Sequence, residues 1–566
     1  MVRLHPVVAL VCAFASLSPA ATYYVDCEGG DDASDGRSDT TAWRSVGKAS
    51  TFELTPGDSL RLRRGTVCRG SLTPRGSGTA EAPLVVDAWG TGPLPKIEAP
   101  PDAKAAFRLF DQEYWVVQNL EFAGGSPHGV FVTGSKGVLH GIHIRNLVVH
   151  DVVGNPLSKE TGLVAIVPGS KEQRFDDVLV EGVTAFRTTQ WSGILVGGAD
   201  FGALPLQNRS TNVRIRDCMV HDVAGDGIVL FQVNDGVIEN SVAWRTGLQR
   251  KETIGTPNGI WTWMCHNCVV RRSEAFLTDS PGVDGGAFDI DFGNSNNTVE
   301  ESYGHHTDGY CVSIFGAGTP TSNSLVRGNT CFQNGRDPKM AKRQGAIFLS
   351  TWNKGRIDSV RISENRVLWN PPVRTAAIVS TARITGEGAI RDNILVSSIP
   401  QLFRGKRGLV WSGNTITSTA SPAQSLGGQF PSATVRDAAG KDIVLPLSKS
   451  WQLYAFVPPS GAGRMLAACA HRQFRPAGLR TVLITDVGRE DQTGNLAWDW
   501  NLGDIPVLFD SGSLRKALHP EKLPSFVLVD DAGRIAWRGE AVPGDLGLAL
   551  RQALGDPDFT RLISEH

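Results

Sequence analysis

Two stretches between residues 283 and 309 carry the densest group of side chains suited to acid–base chemistry. The first contains Asp284, followed by Asp289 and Asp291 two residues apart. If residues 286–292 form a strand, alternate side chains point to opposite faces, so both later carboxyls share the outer face. A neighbouring carboxylate raises the pKa of one acid, which leaves one protonated acid and one ionised base, as glycoside hydrolysis requires.

The second stretch contains His305, His306 and Asp308, predicted on a loop beside the acids of the preceding coil. We predict that both stretches together supply the catalytic groups. Asp284, Asp289 and Asp291 are also candidate ligands for Ca²⁺, which would neutralise a uronate and help a lyase remove its C5 proton. Hydrolase, lyase and C5-epimerase chemistry all remain open. The structural alternative is that these Asp residues only end strands or hold a structural ion.

Substrate contacts are predicted from residues on neighbouring coils. Trp261 and Trp263 occupy alternate, outward positions of one strand, and exposed indoles provide flat apolar faces for sugar rings. Arg343, with Lys342 and Lys354, is predicted to flank the following coil and to supply positive charge or a lyase base. The competing interpretation is that loops cover the indoles and that water surrounds the cations.

A repeat of short strands positions these residues. From about residue 107 to residue 418, short apolar strands alternate with Gly, Asn and Asp, and no long helical periodicity intervenes. The period varies between roughly 21 and 36 residues, which is typical of a solenoid with outer loops of variable length. A β-propeller would need hairpin signals that are scarce here. A matching Asn recurs, predicted to stack between coils and to tolerate the left-handed bends that join strands, at Asn146, Asn240, Asn329, Asn365, Asn393 and Asn414.

The opening of the chain resembles a known family. Thr22-Tyr-Tyr-Val-Asp-Cys, the following Gly30-Asp-Asp-Ala-Ser-Asp-Gly and Ala42-Trp-Arg-Ser-Val are similar to the start of secreted right-handed β-helix proteins of the pectate-lyase superfamily. The segment from Asp284 also resembles a motif of secreted β-helix proteins, with Ala287 and Phe292 as departures. The resemblance implies an all-β right-handed parallel β-helix and favours polysaccharide chemistry without establishing it.

The composition and the first residues bear on partners and location. Lys plus Arg (56) and Asp plus Glu (57) nearly cancel, so the chain has no basic field for nucleic acid. Arg3 precedes an apolar run that ends in small residues near Ala20, which predicts a signal peptide and export. The run is too short for a transmembrane segment. Export permits disulfides, and for Cys265 and Cys268 a local disulfide or two buried thiols are favoured over a metal site.

A second unit follows a Ser/Gly-rich link. Predicted strands at 451–457 and 481–485, a helix at 464–474 and a hairpin after Pro524 indicate a small α/β domain. It resembles thioredoxin-like proteins of the exported thiol-reductase type, which implies a cis Pro524. The position expected for the redox Cys-x-x-Cys reads Ser460-Gly461-Ala462-Gly463, so thiol exchange is excluded there. We expect a redox-inactive domain used for docking or stability.

The sequence therefore predicts an exported carbohydrate-active enzyme that cleaves a polysaccharide, either a glycoside hydrolase or a polysaccharide lyase. The alternative is a noncatalytic glycan-binding or cell-envelope scaffold, with the second domain as a partner module. No cofactor is required beyond the candidate Ca²⁺. The predicted divisions are a signal peptide at 1–20, an N-terminal cap at 21–106, the β-helix at 107–420, a linker at 421–446 and the thioredoxin-like domain at 447–566.

Overall fold

The computed structural model describes residues 20–154, 158–198, 202–249, 256–397, 402–405, 407–418, 427–447, 449–486, 493–518, 520 and 522–559. The predicted signal peptide, apart from Ala20, lies outside the described residues. No helix in the described part of the chain is long and apolar enough to cross a membrane.

The N-terminal section is a solenoid of parallel strands. One turn runs through Gly286–Ile290, Thr298–Glu300 and Tyr303–His305, and each strand pairs in parallel with its counterpart in the next turn. The first strand of such a turn belongs to an 11-stranded sheet and the other two to a 26-stranded sheet. The predicted parallel β-helix is therefore confirmed.

The 11-stranded sheet comprises Phe107–Phe110, His128–Thr133, Gly162–Ile166, Ser192–Gly197, Ile228–Phe231, Asn258–Trp263, Gly286–Ile290, Val312–Gly316, Ile347–Thr351, Ile378–Ser380 and Phe403–Arg404. The 26-stranded sheet comprises Thr22–Val25, Ser59–Arg63, Val67–Arg69, Leu84–Trp89, Lys96–Ala99, Trp115–Gly124, Gly137–Val152, Gln173–Glu181, Thr184–Thr188, Ser210–Arg216, Met219–Val223, Val233–Asn234, Val237–Glu239, Val242–Trp244, Val269–Arg271, Glu274–Phe276, Thr298–Glu300, Tyr303–His305, Thr321–Arg327, Thr330–Phe332, Ile357–Ser363, Arg366–Leu368, Ile384–Arg391, Ile394–Val396, Val410–Ser412 and Thr415–Thr417. Two short helices, Val46–Thr51 and Pro338–Gln344, lie in its loops.

The apolar core fills the inside of the solenoid. Side chains at equivalent positions of successive coils stack there, including Ile260, Phe288, Val312 and Ile347, and all four are fully buried. Full burial of such a side chain contributes roughly 1.5–3 kcal/mol, so the repeated inward row stabilises the coil. Two disulfides join residues of this section, Cys27–Cys68 and Cys311–Cys331. Cys265 and Cys268 are buried free thiols.

A polar ladder runs inside one bend of the solenoid. The side-chain amide of Asn365 donates to Asn393 Oδ1 at 2.9 Å and accepts from Asn329 Nδ2 at 3.0 Å. Asn393 donates in the same way to Asn414. The predicted stacking is thus confirmed for these four residues, and Asn146 also donates to Asn119 of the preceding coil at 3.2 Å. Of the six residues, only Asn146 and Asn240 adopt the positive φ of a left-handed bend. Earlier coils continue the ladder with shorter side chains at Ser241, Ser273 and Ser302.

Breaking this ladder should weaken the solenoid. Asn365→Ala removes the acceptor for Asn329 and the donors to Asn393 and to the Val326 carbonyl. We expect the free energy of unfolding in urea to fall by about 3 kcal/mol, because buried polar groups then lack partners. Asn208→Ala, outside the ladder, is the control and should change it by less than about 0.5 kcal/mol. An equal effect of both variants would contradict the ladder's role.

The C-terminal section is an α/β domain with a seven-stranded mixed sheet. The four elements predicted for it are confirmed, and the Leu523–Pro524 bond is cis. The prediction of a linker is wrong for residues 427–446. Two strands there pair with each other, and one of them extends the domain's sheet. The strands are Ala433–Arg436, Asp442–Leu445, Gln452–Phe456, Arg480–Asp486, Val507–Asp510, Ser525–Val529 and Ile535–Glu540, and the helices are Arg464–Phe474, Thr493–Asp499, Ser513–Leu518 and Pro543–Leu554.

This domain packs on the outside of the 26-stranded sheet. Solenoid residues such as Trp244 and Phe276 share one apolar cluster with Met465 and Leu546 of the domain helices. The loop before the helix Arg464–Phe474 is part of the contact, since the Gly463 N–H donates to Asp217 of the solenoid at 2.5 Å. The domain thus covers part of the 26-stranded sheet and leaves the outer face of the 11-stranded sheet to the candidate site.

Candidate active site

The strand Gly286–Ile290 positions the predicted acids. Phe288 and Ile290 point into the core, and Asp289 between them points outward, as the alternation predicts. Because the strands are parallel and in register, Asp289 lies beside Trp261 of the preceding coil and Ser313 of the next. The outer face of the 11-stranded sheet therefore carries the acid group.

Asp289 faces outward but has almost no contact with solvent. Only 1% of the residue is exposed, and its two carboxyl oxygens accept hydrogen bonds from Ser313 Oγ at 2.6 Å and Asn258 Nδ2 at 3.3 Å. Burial, followed by the charges of Asp291 and Asp284, raises the pKa of Asp289 well above its ordinary value. The expectation that Asp289 projects into solvent is wrong, because side chains of adjacent coils cover it.

A cleft of about 650 Å³ opens next to this buried acid. Asp284 and Asp291 both line it, so these two carboxyls, and not the pair Asp289 and Asp291, are accessible to a ligand. The lining consists of Thr256, Val283, Asp284, Asp291, Phe292, Phe315, Lys342, Arg343, Gln344, Phe348, Ser350, Trp352, Thr381 and Arg404.

Both cleft carboxyls hold their protons more tightly than ordinary Asp. Burial, followed by the Asp284 charge, raises the pKa of Asp291 to about 7. Burial also raises the pKa of Asp284, whose carboxylate accepts a hydrogen bond from the Thr256 hydroxyl. Two interacting carboxyls lose their protons in separate steps. Between those steps the pair carries one proton and one negative charge.

Aromatic side chains form an apolar part of the cleft. The sequence predicts Phe292 in the core, but the strand ends at Ile290 and Phe292 instead lines the cleft. It meets Trp352 edge-on, with ring centroids 5.8 Å apart, and Trp352 also meets Phe315. Trp352 is 41% exposed and presents its indole to a ligand. Sequence reasoning missed it, although it continues the alternate positions of Phe348 and Ser350.

The two indoles predicted as sugar platforms are placed differently. Trp261 is only 3% exposed, with the Lys159 ammonium 4.5 Å from its ring centroid, so its prediction as a platform is wrong. Trp263 is half-buried and packs edge-on against Phe231 and Phe292 behind the cleft. The apolar surface for a sugar therefore lies one to three coils further along the solenoid.

The sequence analysis did not predict two charged residues that lie behind the cleft. Asp226 is fully buried, and its carboxylate accepts hydrogen bonds from Trp191 Nε1 at 2.6 Å and the Asn258 N–H at 3.0 Å. Lys159 Nζ lies 3.8 Å from Asp226. Its positive charge acts against the effect of burial on all four acids of the group, and it favours their ionised forms. Lys159 stands on a loop without periodic pattern, which gave no signal in the sequence.

The structure does not bring the predicted histidines to the cleft. His305 is fully buried on the 26-stranded sheet, where its Nε2 lies 3.0 Å from Glu274 and its ring stacks on Phe276. His306 contacts Asp556 of the C-terminal domain at 3.0 Å. Asp308 pairs with Arg336 at 2.9 Å. The prediction that these three residues are catalytic is therefore wrong. They lie on or just after the strand Tyr303–His305, which belongs to the 26-stranded sheet, whereas the cleft lies beside the 11-stranded sheet.

The candidate calcium site is not supported by the geometry. Of Asp284, Asp289 and Asp291, only the first and last open to the cleft, while hydrogen bonds from Ser313 and Asn258 occupy the oxygens of the second. Within the described ranges, no group of three or more His, Cys, Asp or Glu side chains is arranged to hold a metal ion.

Of the predicted cations, Arg343 and Lys342 line the cleft. Lys354 is not among the lining residues. Arg404 lines the cleft as well, and the sequence reasoning missed it because it comes from a two-residue strand some 60 positions later.

Comparison of the chain with known protein families agrees with this architecture. A family model described as "Right handed beta helix region" matches residues 105–417, which is more than half of the chain. The chain therefore belongs to the right-handed β-helix family. Asp289 therefore lies on a registered strand of this scaffold, and Asp284 and Asp291 lie just before and just after that strand.

Two similar proteins are both lacto-N-biosidases. The lacto-N-biosidase of Bifidobacterium longum subsp. longum is 25% identical over a match that covers 49% of this chain and 24% of that protein. The chain thus matches about a quarter of the length of this curated relative. The native GH136 lacto-N-biosidase from Eubacterium ramulus is similar in structure with a TM-score of 0.52 at 23% identity, over 70% of this chain and 68% of that one. At that identity the likeness shows the fold alone.

Proposed function

We propose that this protein is a glycoside hydrolase that binds a glycan in the cleft and cleaves it with Asp284 and Asp291. The observation that carries the proposal is that both carboxyls line one cleft while burial raises the pKa of each. Raised and coupled pKa values are characteristic of an acid and base pair that works near neutral pH.

The chemistry requires one proton and one charge on this pair. The protonated carboxyl donates its proton to the glycosidic oxygen as the bond to the leaving sugar breaks. The ionised carboxylate either attacks the anomeric carbon directly or removes a proton from the attacking water. With the pKa of Asp291 near 7, this state is populated in weakly acidic solution. We therefore propose an acidic pH optimum.

Two further observations support a glycan as the ligand. Trp352 offers an exposed indole in the cleft, and sugar rings stack on such apolar faces. The similar proteins from Bifidobacterium and Eubacterium are both described as lacto-N-biosidases. A lyase mechanism is the alternative for which the cations Lys342 and Arg343 would supply a base.

The direct test is product analysis on neutral and acidic glycans, with and without a chelator. New reducing ends without ultraviolet absorbance from an unsaturated sugar would support hydrolysis. An absorbing unsaturated product would replace the hydrolase proposal with a lyase. Binding without cleavage of any glycan would favour the noncatalytic scaffold.

We propose that Lys159 adjusts the pKa values of Asp284 and Asp291. Lys159→Met removes the positive charge that favours the carboxylate forms of Asp284 and Asp291. Their pKa values should then rise, so the acidic limb of the pH–rate profile should move upward by about one pH unit. Lys159→Arg should restore the profile.

The control is Lys171→Met, which removes an exposed lysine whose Nζ lies 4.0 Å from Glu172, away from the cleft. Its pH–rate profile should match that of the wild type. An unchanged acidic limb in Lys159→Met would show that Lys159 does not set the ionisation of the pair.

Export and the identity of the second domain also belong to the proposal. We propose that the protein works outside the cytoplasm, which is supported by the disulfides Cys27–Cys68 and Cys311–Cys331. We propose a thioredoxin-like, redox-inactive fold for the C-terminal domain, supported by the cis Leu523–Pro524 bond before a hairpin. Its docked position suits a supporting module.

A further inference from the structure

One wall of the cleft gathers three cationic side chains. Lys342 and Arg343 stand in the last turn of the helix Pro338–Gln344, and Arg404 comes from the edge strand Phe403–Arg404. Arg404 Nη2 donates to the main-chain oxygens of Lys342 at 3.0 Å and of Arg343 at 2.9 Å. These bonds cap the helix end and hold the three cations together at the cleft.

These cations are free to meet a ligand. All three are exposed, and among the described residues no ion pair joins any of them to a carboxylate. The nearby Arg336 is different, since it pairs with Asp279 at 3.0 Å and with Asp308 at 2.9 Å. The positive charge of the wall is therefore directed at the open volume of the cleft.

The position of the acids agrees with an anionic ligand beside the cations. Arg343 favours the ionised form of Asp284, so the wall acts on the catalytic pair across the same cleft. Ionised acids would repel an anion, but burial raises the pKa values of Asp284 and Asp291 and so lowers their charge in weakly acidic solution. In the active state the pair carries one negative charge instead of two, which reduces its repulsion of an anion.

We propose that the wall formed by Lys342, Arg343 and Arg404 binds a negatively charged substituent, a carboxylate or a sulfate ester, on a sugar whose ring lies against Trp352. The substrate class is then an anionic glycan. Guanidinium groups recognise the oxygens of such substituents through paired, charge-assisted hydrogen bonds. This inference rests on the proposed function, because it places the charged sugar beside the cleaved linkage.

Binding to a variant that does not cleave separates this proposal from the catalytic one. Asp291→Asn is titrated calorimetrically at pH 5.5 with two pairs of oligosaccharides. One pair is an oligouronate and its carboxyl-reduced form, and the other is a sulfated oligosaccharide and its desulfated form. We expect at least one anionic member to bind 10-fold or more tightly than its neutral partner, and its affinity to fall as NaCl is raised. The pair that shows the difference identifies the substituent.

A second substitution tests the wall itself. Adding Arg343→Met to Asp291→Asn should remove most of that 10-fold preference. Adding Arg361→Met, an exposed arginine on the other sheet, should leave it unchanged. Equal binding of anionic and neutral partners, no binding of either anion, or an unchanged preference in Arg343→Met would each overturn the inference. Hydrolysis of a neutral glycan by the wild type would leave the proposed function standing in those cases.

Discussion

Asp284→Asn and Asp291→Asn should each lower kcat on the cleaved glycan by about 10²- to 10⁴-fold. The amide keeps the shape of the side chain but can neither donate a proton as an acid nor act as a carboxylate. Both residues line the cleft, so each substitution removes one member of the proposed acid and base pair. The rate of product formation by purified variants measures the effect.

The loss of kcat is compared with the effect of a matched substitution outside the cleft. Asp279→Asn makes the same chemical change at a residue that pairs with Arg336 and does not line the cleft, and its kcat should stay within about 2-fold of wild type. Circular dichroism and unfolding in urea confirm that each variant is folded. Folded Asp284→Asn or Asp291→Asn with kcat near that of Asp279→Asn would contradict the assignment of the pair.

Chemical rescue assigns the two roles. Replacing a nucleophilic or basic carboxylate by Gly leaves space for azide, which can attack the anomeric carbon in its place. A glycosyl azide of inverted configuration identifies the missing residue as the nucleophile or base on the far side of the sugar. A glycosyl azide of retained configuration identifies it as the acid and base group of a retaining enzyme, because azide then attacks the covalent intermediate.

Arg551→Met should destabilise the protein more than the same substitution of a surface arginine. The Arg551 side chain is only 6% exposed and lies between the two domains, where its Nε pairs with Asp556 at 2.9 Å. Its guanidinium also lies over the ring of Tyr303 at 5.5 Å and contacts Gln473 at 3.4 Å. We expect the free energy of unfolding in urea to fall by about 3 kcal/mol, below the value for a fully buried pair because Asp556 is 39% exposed.

Arg534→Met is the control for charge removal at the surface. Arg534 is 58% exposed and pairs with Asp530 four residues away, so its loss should cost less than about 0.5 kcal/mol. Since Arg551 is remote from the cleft, KM should be unchanged in both variants at temperatures where they are folded. A stability of Arg551→Met equal to that of Arg534→Met would show that the interdomain contact does not depend on this residue.

The interdomain contact also explains why the predicted histidines are buried away from the cleft. Glu274 accepts hydrogen bonds from Gln473 of the second domain at 2.8 Å, and burial raises the pKa of Glu274 to about 7. His305 lies beside it, and burial lowers its pKa well below the usual range. Perturbed titratable groups thus mark an interface here as well as the cleft. The cleft differs from the interface because a ligand can reach the titratable groups of the cleft.

The sequence by itself determined the solenoid, the outward direction of Asp289 and the bounds of the main elements of the second domain. These features follow from local rules, because strand alternation and the period of the repeat are set by neighbouring residues. It also located the acid segment that contains both cleft carboxyls, Asp284 and Asp291.

Only the tertiary structure decided which outward side chains meet solvent. Asp289 and Trp261 point outward as predicted but are buried, while Trp352 and Arg404 line the cleft from later coils. The physical reason is that exposure depends on what packs against a side chain, and the covering residues, such as Ser313 at Asp289 and Lys159 at Trp261, come from other coils of the solenoid. No local pattern could place Lys159 beside Asp226 across 67 positions of sequence or bring the second domain onto His305.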